Sequence, residues 1–161
     1  VSGPAKSGRT TTLYTLMDIL NRPEINISTI EDPVEYYMHR INQTQIRPEI
    51  GFGYADGFRA VLRQEPDVIM VGDLNDAETA ILALNAAHSG RLVLAAMTAY
   101  SPVEAINMLK NMNISPTLIA SGLRLALSQK LVKTPAGSNR GEYEMLKMSP
   151  YLRKFILDGV I

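Results

Sequence analysis

The sequence predicts an α/β domain built on a mainly parallel, twisted sheet with helices on both faces. Three observations predict it. Helical and extended patterns alternate along the chain. The run Asp67-Val-Ile-Met-Val71 is apolar on both faces, as an inner parallel strand requires. The segment Gly3 to Thr10 has the glycine spacing of a loop that enters a helix and wraps phosphate.

The elements follow in order. Leu13, Leu16, Met17 and Leu20 recur at i, i+3, i+4 and i+7, which gives Thr10 to Leu20 one apolar helical face, and Asn21-Arg22-Pro23 stops it. Ile25 to Ile30 reads as a strand ending in the acidic cluster Glu31-Asp32-Pro33-Val34-Glu35, and Ile41 to Ile46 as a second extended run. Ala55 to Gln64 suits a helix with Phe58, Val61 and Leu62 inward. The strand Val68 to Val71 is expected at the centre of the sheet. Asp76 caps a helix to His88 that Gly90 stops, and Leu92 to Met97 is expected as another buried strand. Ser101-Pro102 and Ser115-Pro116 each open a helix, the second expected to run through Leu127. Thr134 to Gly141 is polar and loop-like, Tyr143 to Met148 extended, and Ser149-Pro150 opens a last helix ending at Gly159. Val68, Ile69, Val71, Leu92, Val93, Leu94, Leu13 and Met17 are the expected core.

Composition narrows the function. At 161 residues the chain is one domain, large enough to bury a core. Sixteen basic and sixteen acidic side chains give a formal net charge of zero, which argues against a general affinity for nucleic acid or acidic membrane. No apolar run approaches ~18 residues, so no membrane insertion is expected. Cysteine is absent, and His39 and His88 are far apart in sequence, which disfavours disulfides and a zinc site. There is no signal-peptide pattern. The sequence opens at Val1, at the end of what should be the strand feeding the loop, and is expected to be an excerpt of a longer protein.

The loop carries the chemistry. Gly3, Gly8 and Thr10 meet the spacing G-x-x-x-x-G-[K]-[ST], but Arg9 holds the lysine position. In such a loop, successive N–H groups of residues such as Ser7, Gly8, Arg9, Thr10 and Thr11 surround phosphate oxygens at the positive end of the helix. A lysine there reaches the β- and γ-phosphates as a compact charge; arginine keeps the charge but is longer and planar. Thr10 Oγ1 remains available to Mg²⁺. The nest stays sound provided that Lys6 tolerates any positive φ that glycine would have given freely. Lys6 either supplies the missing ammonium from another point of the loop or is a solvated surface lysine.

Together these segments resemble the motor ATPases of type II secretion and type IV pili. The resemblance rests on Gly-Pro-x-x-Ser-Gly-x-Thr-Thr-Thr-Leu-Tyr, on Thr29-Ile-Glu-Asp-Pro-Val-Glu-Tyr36, and on Leu62-Arg-Gln-Glu-Pro-Asp-Val-Ile-Met-Val-Gly-Asp73. It continues through Ile119-Ala-Ser-Gly-Leu-Arg124 and Gln129-Lys-Leu-Val132. It implies that residues 1–161 are the C-terminal RecA-like domain of a cytoplasmic machine, with the N-terminal part of the parent protein absent. It further implies a homo- or hetero-hexamer, inner-membrane platform proteins as partners, and ATP with Mg²⁺ as the ligand of the loop.

The departures from the family pattern fall on chemistry. Lys6 replaces a glycine and Arg9 the Walker A lysine. The Walker B strand ends Gly72-Asp73-Leu74-Asn75-Asp76, where the family has Gly-Glu-[Ile/Met]-Arg-Asp. The histidine box appears as Ala95-Ala-Met-Thr-Ala-Tyr100, with Thr98 at the histidine. The resemblance makes Glu31 and Glu35 metal- or water-positioning carboxylates, against the simpler reading of a polar strand-end turn. It makes Asp73 a shortened catalytic carboxylate that could touch a Mg²⁺-bound water. Arg59, Arg63 and Arg124 are either phosphate-binding arginines that act across subunits or surface ion-pair partners. Asp67 is expected to be a strand-entry residue. Losses in three boxes together predict a domain that hydrolyses ATP poorly or not at all; the alternative is a live ATPase that uses Lys6 and Asp73 as substitutes.

Overall fold

The computed structural model describes residues 1–161. Strands β1 (Ile27–Glu31), β2 (Ile41–Gln45), β3 (Val68–Val71) and β4 (Leu92–Ala95) form a parallel sheet in the order β2-β1-β3-β4. Ile27 lies beside both Ile41 and Val68, and Val68 beside Leu92, so all four strands run in one register toward one edge. Beyond β4, Ser2 bridges in parallel to Met97 on one side and to Ser128 on the other. Ser128 belongs to β5 (Leu125–Lys133), which pairs antiparallel with β6 (Asn139–Lys147).

The alternation of β3 explains its composition. Val68 and Met70 pack against α1 (Arg9–Leu20) in a cluster with Leu13, Tyr14, Met17, Ile27 and Ile41. Ile69 and Val71 face the larger core on the other side, with Phe58, Val61, Ala80, Ile106 and Ile119. That core is supplied by α2 (Tyr54–Leu62), α3 (Ala77–His88), α4 (Pro102–Asn111), α5 (Pro116–Gly122) and α6 (Pro150–Leu157). All four β3 residues are buried, so the central strand expected at Val68 to Val71 is present. No helix is long and apolar enough to cross a membrane.

Three of the four predicted caps act as the sequence predicts, whereas Ser115 opens α5 without a side-chain cap hydrogen bond. Asp76 accepts from Thr79 N–H at 2.8 Å, and Ser101 and Ser149 do the same for Glu104 and Leu152, each satisfying a donor that the first helical turn leaves free. Asp67 enters β3 by accepting from Asn26 N–H at 2.8 Å.

Asn139 to Gly141, expected in a polar loop running from Thr134, open β6 instead and pair with Leu131 to Lys133. Two further expectations need correction. The helix from Pro116 ends at Gly122, and the chain is extended again from Leu125. At Gly122 a Cβ would lie 2.9 Å from Leu84 O, so the close approach of α5 to α3 requires glycine there. The segment beyond it is drawn into the sheet by Ser2 N–H, which donates to Leu127 O at 2.6 Å. The helix-compatible Leu125 to Leu127 is therefore strand because of long-range partners, Ser2 and β6, which local periodicity does not encode.

The second correction concerns β4. Leu92 is 45% exposed and Val93 and Leu94 are only partly buried, although all were expected in the core. β3 pairs with one side of β4, but on the other side contact begins only at Ala95, whose carbonyl accepts from the Val1 amino group at 2.6 Å, and continues at Met97. The space between β4 and β5 is an apolar cavity of ≈510 Å³, with Val1, Leu16, Leu92, Leu94, Leu125 and Leu127 in its walls.

Candidate functional site

Because the strands are parallel, their C-terminal ends gather on one edge, which in open α/β sheets is where ligands bind. Glu31 ends β1, Gly72 and Asp73 follow β3, and Thr98 follows β4. The loop Gly3 to Gly8 joins them between Ser2 and α1.

The loop has the backbone of an anion nest. Gly3 (φ 155°) approaches β5 so closely that a Cβ would overlap Gln129 O and Ser7 Oγ. Gly8 takes φ 86° at the N-cap of α1. Thr12 N–H is the first to find a helical acceptor, Gly8 O at 3.0 Å, which leaves the N–H groups of Arg9, Thr10 and Thr11 without backbone partners. They form the positive end of the helix dipole. The exception is Lys6, an exposed lysine at φ 64°. A non-glycine residue in this left-handed region costs about 1–2 kcal/mol, so a lysine in place of glycine strains the loop.

Two substituted positions meet across the site. Arg9 Nη1 donates to Thr98 Oγ1 at 2.7 Å, so the guanidinium is directed to the end of β4. Lys6 is exposed and makes no ion pair within the chain, as a solvated lysine does.

Asp73 is held by its neighbour: Asn75 Nδ2 donates to Asp73 Oδ2 at 2.6 Å. Asp73 Oδ1 is buried with no hydrogen-bond partner. A buried carboxylate oxygen without a donor is costly, and a metal-bound water is one group that would satisfy it. Tyr54, from the start of α2, lies near Asp73, Asp32 and Glu31; burial and then these three carboxylates push its phenol upward, so it stays a neutral donor.

Glu31 sits differently. It is 2% exposed, and its carboxylate accepts from Tyr14 Oη, from Thr29 Oγ1, and from Gln43 Nε2 at 3.2 Å. Tyr14, on α1, stacks edge-on against Tyr36 with ring centroids 4.5 Å apart and accepts from Glu35 N–H at 3.3 Å. Burial and the hydrogen bond to Glu31 push the Tyr14 phenol upward. Glu31 is thus tied into a buried network that joins α1, β1 and β2, whereas the Glu35 side chain is exposed.

The three arginines lie apart from the loop's hydrogen bonds. Arg59 pairs with Asp56 at 3.2 Å and with Glu78 on α3. Arg63 and Arg124 are exposed and make no ion pair within the chain. Among the candidate residues the structure therefore gathers Gly3, Lys6, Ser7, Gly8, Arg9, Thr10 and Thr11 in one loop and helix start, with Asp73 on the same edge. Tyr14, Tyr54 and Gln129 were not singled out as site residues. Gln129 and Tyr14 lie within segments that carry the resemblance, and Tyr54 carries no signal of periodicity or spacing.

A parallel sheet whose C-terminal edge carries a glycine loop opening a helix defines a P-loop nucleotide-binding fold of RecA-like type. The family profile described as "Type II/IV secretion system protein" matches residues 1–154, and the chain belongs to that family. It is 44% identical over 143 residues to type II secretion system protein E of Dickeya dadantii, covering 89% of this chain and 29% of that protein. It is 41% identical over 145 residues to the type IV pilus assembly ATPase PilB of Pseudomonas aeruginosa, covering 90% of this chain and 26% of PilB. The chain thus spans less than a third of the length of these curated relatives. A crystal structure of the pilus retraction motor PilT with bound ADP superimposes with a TM-score of 0.88 at 30% identity, covering 99% of this chain and 49% of that one.

Proposed function

We propose that residues 1–161 are the C-terminal RecA-like domain of a type II secretion or type IV pilus assembly motor, with degenerate catalytic motifs. In this reading the domain binds nucleotide weakly, hydrolyses it slowly or not at all, and serves the assembly machine structurally or as a regulator. The observation that carries it is the Arg9–Thr98 hydrogen bond. The cation that should reach phosphate is engaged by the side chain that stands at the histidine of the family pattern. Both altered boxes thus satisfy each other rather than a ligand.

The remaining residues still suit a magnesium nucleotide. The free N–H groups at the start of α1 fit phosphate oxygens, Thr10 Oγ1 fits the metal, and the unpartnered Asp73 Oδ1 fits a metal-bound water. When bound, Mg²⁺ would neutralise phosphate charge. Asp73 would orient a water from farther back than a glutamate, and a misplacement of ~1 Å costs on the order of 100-fold in rate. The unpartnered Asp73 Oδ1 is also what favours the second reading, an active ATPase powering pilin or pseudopilin assembly through non-standard residues.

The cavity between β4 and β5 supports the domain assignment: its apolar walls suit one more strand, supplied by the N-terminal part of the parent protein. The relatives' greater length supports further domains in the parent protein. A homo- or hetero-hexamer at the cytoplasmic face of the inner membrane, held by platform proteins, completes the proposal. The test is titration of the protein with a fluorescent ADP analogue, with and without Mg²⁺, followed by a phosphate-release assay with ATP. Weak Mg²⁺-dependent binding with release near background is expected. Robust release would overturn the degenerate reading in favour of the active one.

A further inference from the structure

The phosphate loop is gripped from outside by one buried side chain that none of the chemistry above uses. Gln129, 5% exposed on β5, donates from Nε2 to Ser7 O at 2.7 Å and accepts at Oε1 from Thr12 Oγ1 at 2.8 Å. A carbonyl only accepts, so the bond to Ser7 O fixes which way the amide lies. The same residue reaches the start of the loop through its backbone, where Gln129 N–H donates to Ser2 O at 2.9 Å. Next to it, the hydroxyls of Ser2 and Ser128 share a hydrogen bond. Both ends of the loop are therefore fastened to β5.

We propose that Gln129 is a positioning residue for the phosphate loop, aiming the Gly8 N–H at the ligand and coupling the loop to the β5–β6 hairpin. In a trans peptide the carbonyl and the next N–H point in opposite directions. By holding Ser7 O toward β5, Gln129 turns Gly8 N–H to the side on which phosphate is cradled. Its second bond, to Thr12 on α1, sets the first turn of the helix against the loop, so the N–H groups of Arg9 to Thr11 keep a fixed direction as well. Nothing larger than glycine fits the contact without adjustment, since a Cβ on Gly8 would lie 3.2 Å from Gln129 Nε2. The hairpin runs on from this clamp to an exposed turn at residues 134–138, so a displacement of the hairpin reaches the loop through one amide.

The proposal rests on the nucleotide-binding reading for its ligand, but the loop itself provides a ligand-free readout. In Gln129→Met, of similar size, the amide protons of Ser7 and Thr12, bonded to Pro4 O and Gly8 O, should exchange roughly tenfold faster. Protection in β1 and β3 should be unchanged. Mg²⁺ and the fluorescent ADP analogue should bind roughly tenfold more weakly. Gln129→Glu is the sharper variant. As a carboxylate it repels Ser7 O; protonated, it again donates to Ser7 O while accepting from Thr12. Its loop protection, and its affinity relative to the unmodified protein, should therefore recover as pH falls, whereas Gln129→Met should show no such recovery. If the unmodified protein binds no nucleotide, the proposed function fails and the exchange data still decide the role of Gln129. Unchanged loop exchange in Gln129→Met would overturn the positioning role, as would a pH-independent Gln129→Glu. Unfolding of both variants at every pH would also overturn it, making the amide a core residue.

Discussion

Arg9 Nη1 donates to Thr98 Oγ1 at 2.7 Å, joining two residues 89 positions apart that both depart from the family pattern. Neither substitution has a rationale alone. Together they give a cation at the mouth of the phosphate loop a neutral partner at the end of β4. An exposed hydrogen bond of this kind contributes little to stability, about 0.5–1.5 kcal/mol. Its consequence is where the guanidinium is kept, because a phosphate entering the loop must compete with Thr98 for it or leave it aside.

Replacing Arg9→Lys and Lys6→Gly together should raise affinity for a magnesium nucleotide by about tenfold or more, measured by calorimetric titration. The lysine restores a compact charge with the reach the loop is built for, and glycine relieves the φ of 64° at position 6. Lys6→Gly alone should change stability only slightly. Relief of about 1–2 kcal/mol of strain is offset by the greater freedom of glycine in the unfolded chain, about 0.5–1 kcal/mol. If the double change leaves affinity where it was, the defect lies outside the loop.

Glu31→Ala should lower unfolding free energy by about 3 kcal/mol, as read by urea denaturation. It removes the acceptor for Tyr14, Thr29 and Gln43 from a site that is nearly fully buried, leaving donors without partners. Glu35→Ala, at an exposed position, should stay within about 0.5 kcal/mol of the unmodified protein. Equal, small losses at both positions would show that the Glu31 network does not hold α1 to the sheet.

The pattern of β3, the caps at Asp76, Ser101 and Ser149, and the helix after Gly8 were legible in the sequence because each depends on neighbours a few positions away. The loop was legible for the same reason. β5 was not, since Leu125 to Leu127 is extended through partners far along the chain, β6 on one side and Ser2 on the other. The exposure of Leu92 was not legible either, because a hydrophobic strand looks the same whether its outer side meets another strand or an open cavity. At the site, residue types marked Asp73 and Glu31 equally. Only packing separates a carboxylate with an unpartnered oxygen from one tied to three donors.

Stability should fall on the alkaline side. The phenols of Tyr14 and Tyr54 are both pushed upward, first by burial and then by the carboxylates around them, so the folded state holds their protons more tightly than the unfolded chain. That contribution is complete below the unfolded tyrosine value of about 10 and is lost as pH rises above it. Tyr14→Phe should be less stable than the unmodified protein at neutral pH, because Glu31 loses a donor, yet its stability should decline less steeply above about pH 10. Urea midpoints across this range give both slopes; parallel curves would mean that Tyr14 does not carry the effect.

Turnover should need all three altered boxes restored at once. A lysine at the loop stabilises phosphate charge in the transition state, a glutamate after β3 positions the water, and a histidine after β4 brings a longer, chargeable donor than Thr98. These act on one reaction, so their effects do not add. Arg9→Lys alone leaves Asp73 set back by about one C–C bond and tied to Asn75. Asp73→Glu alone leaves the guanidinium engaged with Thr98. Each single change should therefore recover little phosphate release, and Arg9→Lys, Asp73→Glu and Thr98→His combined in the full-length protein should recover far more than the sum. A single change that restores rapid, Mg²⁺-dependent release would locate the whole defect in that one box and remove the case for coupled loss.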